Sequence, residues 1–246
     1  MHYCISDIHG QLGLFREMLD MIHLSDEDTL YILGDMIDRG PDSIGVLQEA
    51  MSRPNVVPFI GNHELMMLDY LNRNGADPDV WLSQNNGGKK TLKAFKALPA
   101  EEQNRILDYI RSSYVQLNVT IGEERFLLSH SCFITDRTDD DIRFTEATDI
   151  QVFYSVWYSP YRFWEYAAPE VYNDGKIHVI GHVPALYIPE NGDAVCPFPN
   201  PELGEKILDI DGGCARISFN EPGGLCCLRL EPDENGKRVS WMQFPG

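Results

Sequence analysis

No two cysteines of this chain are spaced as CxxC, which excludes a zinc ribbon and a thioredoxin-like redox motif. The six cysteines, Cys4, Cys132, Cys196, Cys214, Cys226 and Cys227, form no disulfide framework, and a chain of 246 residues does not need one. Most read as buried, reduced thiols of a cytoplasmic protein, with Cys226-Cys227 in an apolar run that belongs to a core. No apolar stretch approaches the length of a membrane span, about 20 residues. The start, Met1-His2-Tyr3-Cys4-Ile5, lacks the basic region and long apolar stretch of a signal peptide. Positive charge is scarce: 20 Lys and Arg stand against 38 Asp and Glu, a net charge of −18. That surface repels a phosphate backbone, so neither nucleic acid nor a membrane is an expected partner.

What is present is an ordinary globular mix, 43% hydrophobic and 24% charged, of a length that suits one domain over 1–246. Residues 2–5, 29–33 and 55–60 read as strands. Between and after them, Leu12, Phe15, Leu19 and Ile22, then 42–51 and 64–73, read as helices. This alternation argues a parallel sheet with helices packed on it, an α/β class. Asn, Asp and Gly crowd 74–86, which reads as a loop; 88–98 and 100–112 read as helices joined at Pro99. Strands follow near 114–120 and 125–129. Residues 145–172 carry nine aromatics and read as partly helical. From 177 onward strands dominate, at 177–180, 206–210, 214–219, 224–230 and 238–243, with a Pro-rich loop over 188–205. A helical, aromatic, cap-like region is expected at about 74–112 and 131–176.

The residues that carry chemistry follow the apolar strands. Ser6-Asp7-Ile8-His9-Gly10 follows the first, Gly34-Asp35-Met36-Ile37-Asp38-Arg39-Gly40 the second, and Gly61-Asn62-His63-Glu64 the third. Ser129-His130-Ser131 and Gly181-His182 follow the strands at 125–129 and 177–180. Ligands of open α/β sheets bind at the carboxyl ends of strands, so five segments deliver Asp, His, Asn and Arg to one edge. In extended backbone Asp7 and His9 point the same way. One Asp or Asn after a strand is ordinary turn chemistry. Asp7, His9, Asp35, Asn62, His130 and His182 together make a donor set. Oxygen and imidazole without thiolate suit Mn²⁺, Fe or Zn²⁺ rather than Ca²⁺ or Cu(I). Six ligands are more than one tetrahedral ion uses, so a carboxylate bridging two divalent ions is expected.

SDIHG (6–10), GDMIDRG (34–40) and GNHE (61–64), followed by His130 and GHV (181–183), resemble the successive motifs of the metallophosphoesterase (calcineurin-like) superfamily. Within it they are most similar to bacterial and phage-type PPP serine/threonine protein phosphatases. Ile210-Asp211-Gly212-Gly213 is similar to a later strand start of that pattern. Ser6 stands where Gly is common, Ser131 follows His130 in place of Ala, and Val183 replaces Thr; no ligand is lost.

The resemblance implies a four-layer α/β/β/α sandwich, mixed sheets flanked by helices. It implies two divalent ions, manganese first, with Asp7, His9 and Asp35 on one and Asp35, Asn62, His130 and His182 on the other. His63 becomes the general acid, held by Asp38, and Arg39 and Asn62 contact phosphate. A second arginine is expected between His130 and His182; Arg162 is the choice and Arg143 the other candidate. The implied activity is hydrolysis of a phosphomonoester, in a phosphorylated protein or a small phosphoester, by in-line attack of a hydroxide shared between the ions. The alternative is an anhydride hydrolase like the symmetrical dinucleoside tetraphosphatases, which usually carry Asp where Glu64 stands; Glu64 therefore leans toward the phosphatases. A diesterase fits less well, because Arg39 suits a dianionic group. A non-catalytic metal-binding scaffold would lack a ligand or His63, and neither is missing.

Overall fold

In the computed structural model the described residues are 1–72, 78–160, 172–187, 196–197, 206–232, 234–236 and 238–243. Side chains alternate along its first strands and so feed two cores. In β1 (His2–Ile5), Tyr3 and Ile5 join one buried cluster and Cys4 another; in β2 (Thr29–Ile32), Leu30 and Ile32 part from Tyr31 in the same way. β3 (Val56–Pro58) completes a parallel trio. α1 (Leu12–Met21) and α2 (Ser43–Met51) are the crossovers. α1 buries Phe15, Met18 and Leu19, and α2 buries Ile44, Val46, Leu47 and Ala50, all against the first cluster. Asp42 starts α2 by accepting the Gly45 N–H at 2.8 Å.

α3 (Asn62–Asn72) follows β3, and a short helix α4 (Pro78–Trp81) packs on it. α5 (Gly88–Lys96) and α6 (Ala100–Arg111) pack on α2. The second sheet then begins with β4 (Tyr114–Ile121), β5 (Glu124–Ser129) and β6 (Ile142–Arg143). α7 (Asp149–Trp157) starts at a capping box of Thr148 and Gln151. β7 (Ile177–Ile180), β8 (Cys196–Pro197) and β9 (Ile207–Asp209) complete that sheet. α8 (Cys214–Ile217), β10 (Leu225–Pro232) and β11 (Arg238–Gln243) return to the first.

Among the described residues the first sheet runs β11-β10-β1-β2-β3 and the second β6-β4-β5-β7-β9-β8. Both are mixed: β1, β2 and β3 are parallel, as are β5, β7 and β9, while the outer strands pair antiparallel. The sheets face each other across Cys4, Tyr31 and Leu33 on one side and Phe126, Leu128 and Val179 on the other. Helices cover the outer face of the first sheet. Behind the second, Leu127, Ile180 and Ile207 pack with Phe133 and Tyr172. This is the expected α/β class with two mixed sheets flanked by helices.

Two local expectations are corrected. The expected strand 214–219 is not formed: its first four residues are α8 and the rest a turn, and Gly213, at φ 82, turns the chain left-handed ahead of it. The expected loop 74–86 contains α4, which anchors Trp81 against Tyr70. Cys4, Cys214, Cys226 and Cys227 are buried free thiols, as expected. Among the described residues no helix is long and apolar enough to cross a membrane.

Candidate metal centre

Six parallel strands end together. β1, β2 and β3 lead into Asp7, Asp35 and Asn62; β5, β7 and β9 lead into His130, His182 and Asp211. The loops after β1 and β2 are laced by backbone bonds, the N–H groups of Asp7, His9 and Gly10 donating to the carbonyls of Gly34, Asp35 and Met36. The loops after β5 and β7 meet where Gly181 N–H donates to His130 C=O at 2.7 Å. At Gly181 a side chain would collide with Ser6 and with the Asp7 carboxylate, so only glycine lets the sheets converge there.

The expectation that Asp7 and His9 share a face of extended backbone does not hold. Their φ angles are 55° and 47°, and Asp35, Asp38, Arg39 and His182 are left-handed as well, at 52°, 72°, 64° and 75°. Non-glycine residues avoid this region because Cβ crowds the backbone there. Such conformations persist only when surrounding bonds over-determine them, and they concentrate at functional sites. The side chains converge because the loops coil, not because the strands continue.

The coil is held by Glu64. Its fully buried carboxylate accepts the N–H groups of Asp35, Met36, Ile37 and Gly61 at 2.9, 2.8, 3.3 and 3.1 Å. Burial, and then the Asp35 charge, push the Glu64 carboxyl up to about 8. The sequence reading took Glu64 as a mark of substrate class. The geometry makes it a clamp on two backbone loops, which gives no ground for choosing a substrate.

The donor atoms form two clusters that share Asp35. Asp35 Oδ2 lies 3.6 Å from His9 Nε2, and Asp7 Oδ1 lies 3.8 Å from the same nitrogen. Asp35 Oδ1 lies 3.7 Å from His130 Nε2, while Asn62 Oδ1 is 3.1 Å from His130 Nε2 and 2.9 Å from His182 Nδ1. His9, Asp35 and His63 each offer a ligand atom within 4.8 Å of the others, as do Asp35, His130 and His182. Both inner imidazoles are oriented from behind. His9 Nδ1 donates to Ile37 C=O at 3.1 Å and His130 Nδ1 to Leu33 C=O at 2.6 Å. Each Nε2 then presents its lone pair to the cluster, the tautomer that metal ligation needs.

The electrostatics call for cations. Burial raises Asp7, and burial with the Asp7 charge raises Asp35 and Asp211 well above the carboxylate range. Burial, then the Arg39 charge, hold His9 and His63 well below the usual imidazole value, hence neutral. Asp7 Oδ1 and His63 Nε2 are buried with no hydrogen-bond partner. Buried carboxylates side by side, facing neutral imidazoles and an orphaned oxygen, fit two divalent ions with Asp35 between them.

Beside the clusters, His63 Nδ1 donates to Asp38 Oδ2 at 2.7 Å, both side chains fully buried. Trp81 Nε1 donates to the same oxygen, also at 2.7 Å. Burial, opposed by bonds from Thr91 and Trp81, raises Asp38 to about 7. Arg39 reaches in from the rim, its Nη1 donating to His9 Nε2 at 2.7 Å and its Nε to Asn85 C=O at 3.2 Å.

The structure thus brings together Asp7, His9, Asp35, Asp38, Arg39, Asn62, His63, His130 and His182. Arg162 lies outside the described residues. Arg143, the other candidate, sits on β6, where it donates to Ser112 C=O and Tyr114 Oη and stacks 4.2 Å over the Tyr114 ring. Trp81 is absent from the sequence reading, and Glu64 and Asp211 stand in its motifs without the parts the geometry gives them. Trp81 carried no signal, being alone in an Asn- and Asp-rich stretch. Glu64 reads in sequence as a mark of substrate class, and the structure adds its part as a clamp on two loops. Asp211 follows the 206–210 strand just as Asp7 and Asp35 follow theirs, and that placement was the available signal.

A family model described as calcineurin-like phosphoesterase matches residues 3–212. The chain is 28% identical over 141 residues to a symmetrical bis(5′-nucleosyl)-tetraphosphatase of Acidovorax sp. (strain JS42), covering 56% of this chain and 46% of that relative. It is 43% identical over 141 residues to the protein of the same name from Acidovorax ebreus (strain TPSY), with the same 56% and 46% coverage. The chain matches about half the length of these curated relatives. In fold it resembles a protein serine/threonine phosphatase from Saccharomyces cerevisiae, at a TM-score of 0.62 and 12% identity, covering 100% of this chain and 80% of that one.

Proposed function

The chain belongs to the calcineurin-like phosphoesterase family, and from that premise we propose that it hydrolyses the phosphoanhydride of a dinucleoside polyphosphate with two divalent ions. The observation that carries the chemistry is the pair of donor clusters sharing Asp35, with Arg39 at their rim. The choice of anhydride rests on the relatives named as tetraphosphatases. The sequence-based preference for a protein phosphatase rests on the likeness of the motif set and leans further on Glu64, whose place the loop clamp accounts for.

Asp7, His9 and Asp35 would hold one ion, and Asp35, Asn62, His130 and His182 the other; manganese is the expected metal. When bound, such a pair acidifies water and neutralises phosphoryl charge. The remaining steps belong to the chain's own groups. Arg39 swings from His9 onto phosphate oxygens, which its planar fork matches. His63 Nε2, 4.0 Å from Asp35 Oδ2 and without a hydrogen-bond partner among the described residues, faces the same space; neutral before substrate binds, it would take up a proton beside the phosphate anion, with Asp38 behind the ring, and pass that proton to the leaving oxygen. Asp38 fixes the ring's orientation and holds the returning proton within the pair.

One observation favours a phosphomonoester as second reading. A buried His63–Asp38 pair matters most for an alkoxide leaving group, which must be protonated, and least for a phosphate leaving group. The test is a rate comparison on Mn²⁺-loaded protein with diadenosine tetraphosphate, p-nitrophenyl phosphate and a phosphoserine peptide. Asp35→Asn serves as the blank. We expect the dinucleotide to give the highest kcat/KM and the mutant to be inactive on all three. Preference for the phosphopeptide would overturn the anhydride reading, and full activity in the mutant would overturn the shared-carboxylate centre.

A further inference from the structure

α3 begins in the metal centre and then leaves it. Asn62 and His63 form its first turn, and Asp69 stands seven residues on, about 10 Å along the axis. Beside this stretch lies a cleft of about 180 Å³, walled by Met66, Tyr70, Trp81, Phe153 and Trp157, in which Asp69 is the one carboxyl group among the described residues. The cleft touches the centre at two points. Trp81 bonds Asp38, and the Trp157 ring meets the His182 ring edge-on, centroids 6.2 Å apart.

Its chemistry points to one kind of occupant. A cavity of about 150 Å³ lined by apolar side chains already accepts benzene, so this one accommodates a planar ring. Phe153 is 48% exposed, leaving its ring open to stacking. Asp69 is half-buried, and among the described residues it makes no ion pair. Burial, then the Asp149 charge, raise its carboxyl. A carboxyl among aromatic walls recognises a flat ring bearing N–H donors. An aryl ring bonded directly to the attacked phosphate would end close to the metal ligands. The Asp69 end of the cleft is in reach of a ring carried on a ribose and a further phosphate.

We propose that this cleft is a nucleobase subsite for an amino-bearing base: Phe153 stacks on its plane, Trp157, tilted 39° to Phe153, walls its edge, and Asp69 accepts its exocyclic N–H. The inference rests on the dinucleotide reading above and deepens it.

The experiment measures equilibrium binding of two probes to Mn²⁺-loaded protein by calorimetry, adenosine diphosphate and N6,N6-dimethyladenosine diphosphate, which lacks the amino protons. Wild-type protein is expected to prefer the first about tenfold. Asp69→Ala should abolish the preference while leaving the dimethyl probe's affinity within twofold. Phe153→Ala should weaken both probes about tenfold, the scale of one lost base–aromatic stack. Both positions are partly exposed, and p-nitrophenyl phosphate turnover, which needs no base, should stay within twofold of wild type in each variant. Equal affinity of the two probes for wild type, or unchanged affinities in both variants, overturns the subsite. If wild type turns over p-nitrophenyl phosphate but no dinucleotide, the anhydride reading falls, while the binding measurements still decide the cleft.

Discussion

Asp38 Oδ2 receives two hydrogen bonds of 2.7 Å, one from His63 and one from Trp81. A carboxyl oxygen accepting two N–H groups is fixed in one orientation, the bonds opposing the burial that raises the group, and its orientation sets that of the imidazole. Trp81 touches no expected metal ligand, and a phenyl ester carries no base to fill the cleft that Trp81 walls, so its effect on the turnover of such esters runs through Asp38. Trp81→Phe keeps the ring and removes the N–H. A hydrogen bond to a charged group is worth about 1.5–3 kcal/mol, and part of that should appear as lost transition-state stabilisation. The expected result is a kcat about tenfold lower for phenyl phosphate, a poor leaving group, and a smaller loss for p-nitrophenyl phosphate, with KM unchanged for both. Steady-state kinetics on the two esters check it. An equal loss on both esters would mean that Trp81 only supports the fold.

At the scale of elements, α1 and α2 are tied by Glu49, which accepts from Arg16 Nε and Arg53 Nη2, each at 2.9 Å. Burial tends to raise the Glu49 carboxyl, but the bonds from Arg53 and Arg16 outweigh it and leave it below the ordinary value. A folded-state value below the unfolded one gives stability that is present above the unfolded pKa, about 4.3. That stability is lost as pH falls through the folded value. Glu49→Gln should therefore lower stability at pH 7, and Tm with it, by the modest amount of a solvent-screened pair, at most about 1 kcal/mol of free energy. The gap between mutant and wild type should close as pH drops below 4, which thermal scans across that window would show; a gap that widens instead would refute the sign. These elements were legible in sequence because their periodicity is local: Phe15 and Leu19, or Ile44 and Leu47, mark a helix face without reference to the rest of the chain. The same holds for the ligands, which follow strands in order. Less legible was whatever depends on contacts made elsewhere. Residues 214–219 read as a strand, yet the left-handed Gly213 starts a helix there. The coiled loops of Asp7 and Asp35 are dictated by Glu64 and by bonds between loops, which no local pattern encodes. Trp81 is tied to Asp38 across forty-three positions.

For the whole molecule the dominant fact is charge. Two divalent ions would bring the net −18 only to −14 (−18 plus 4), so a substrate anion approaches a strongly acidic body. Near the centre, Arg39 and the ions would reverse the potential, but they act over short range while the surface acts over long range. The Debye length falls from about 30 Å at 0.01 M salt to about 8 Å at 0.15 M. Added salt therefore screens the repulsion of encounter before it weakens contacts inside the site. The expected outcome is that kcat/KM rises by about two- to threefold between those ionic strengths at saturating Mn²⁺, with kcat constant. The slope should be steeper for diadenosine tetraphosphate than for p-nitrophenyl phosphate, because the longer phosphate chain carries more charge. Initial-rate measurements across a KCl series would establish it. A fall in kcat/KM with salt would show instead that the positive potential around Arg39 extends beyond the cleft and steers substrate in against the charge of the whole.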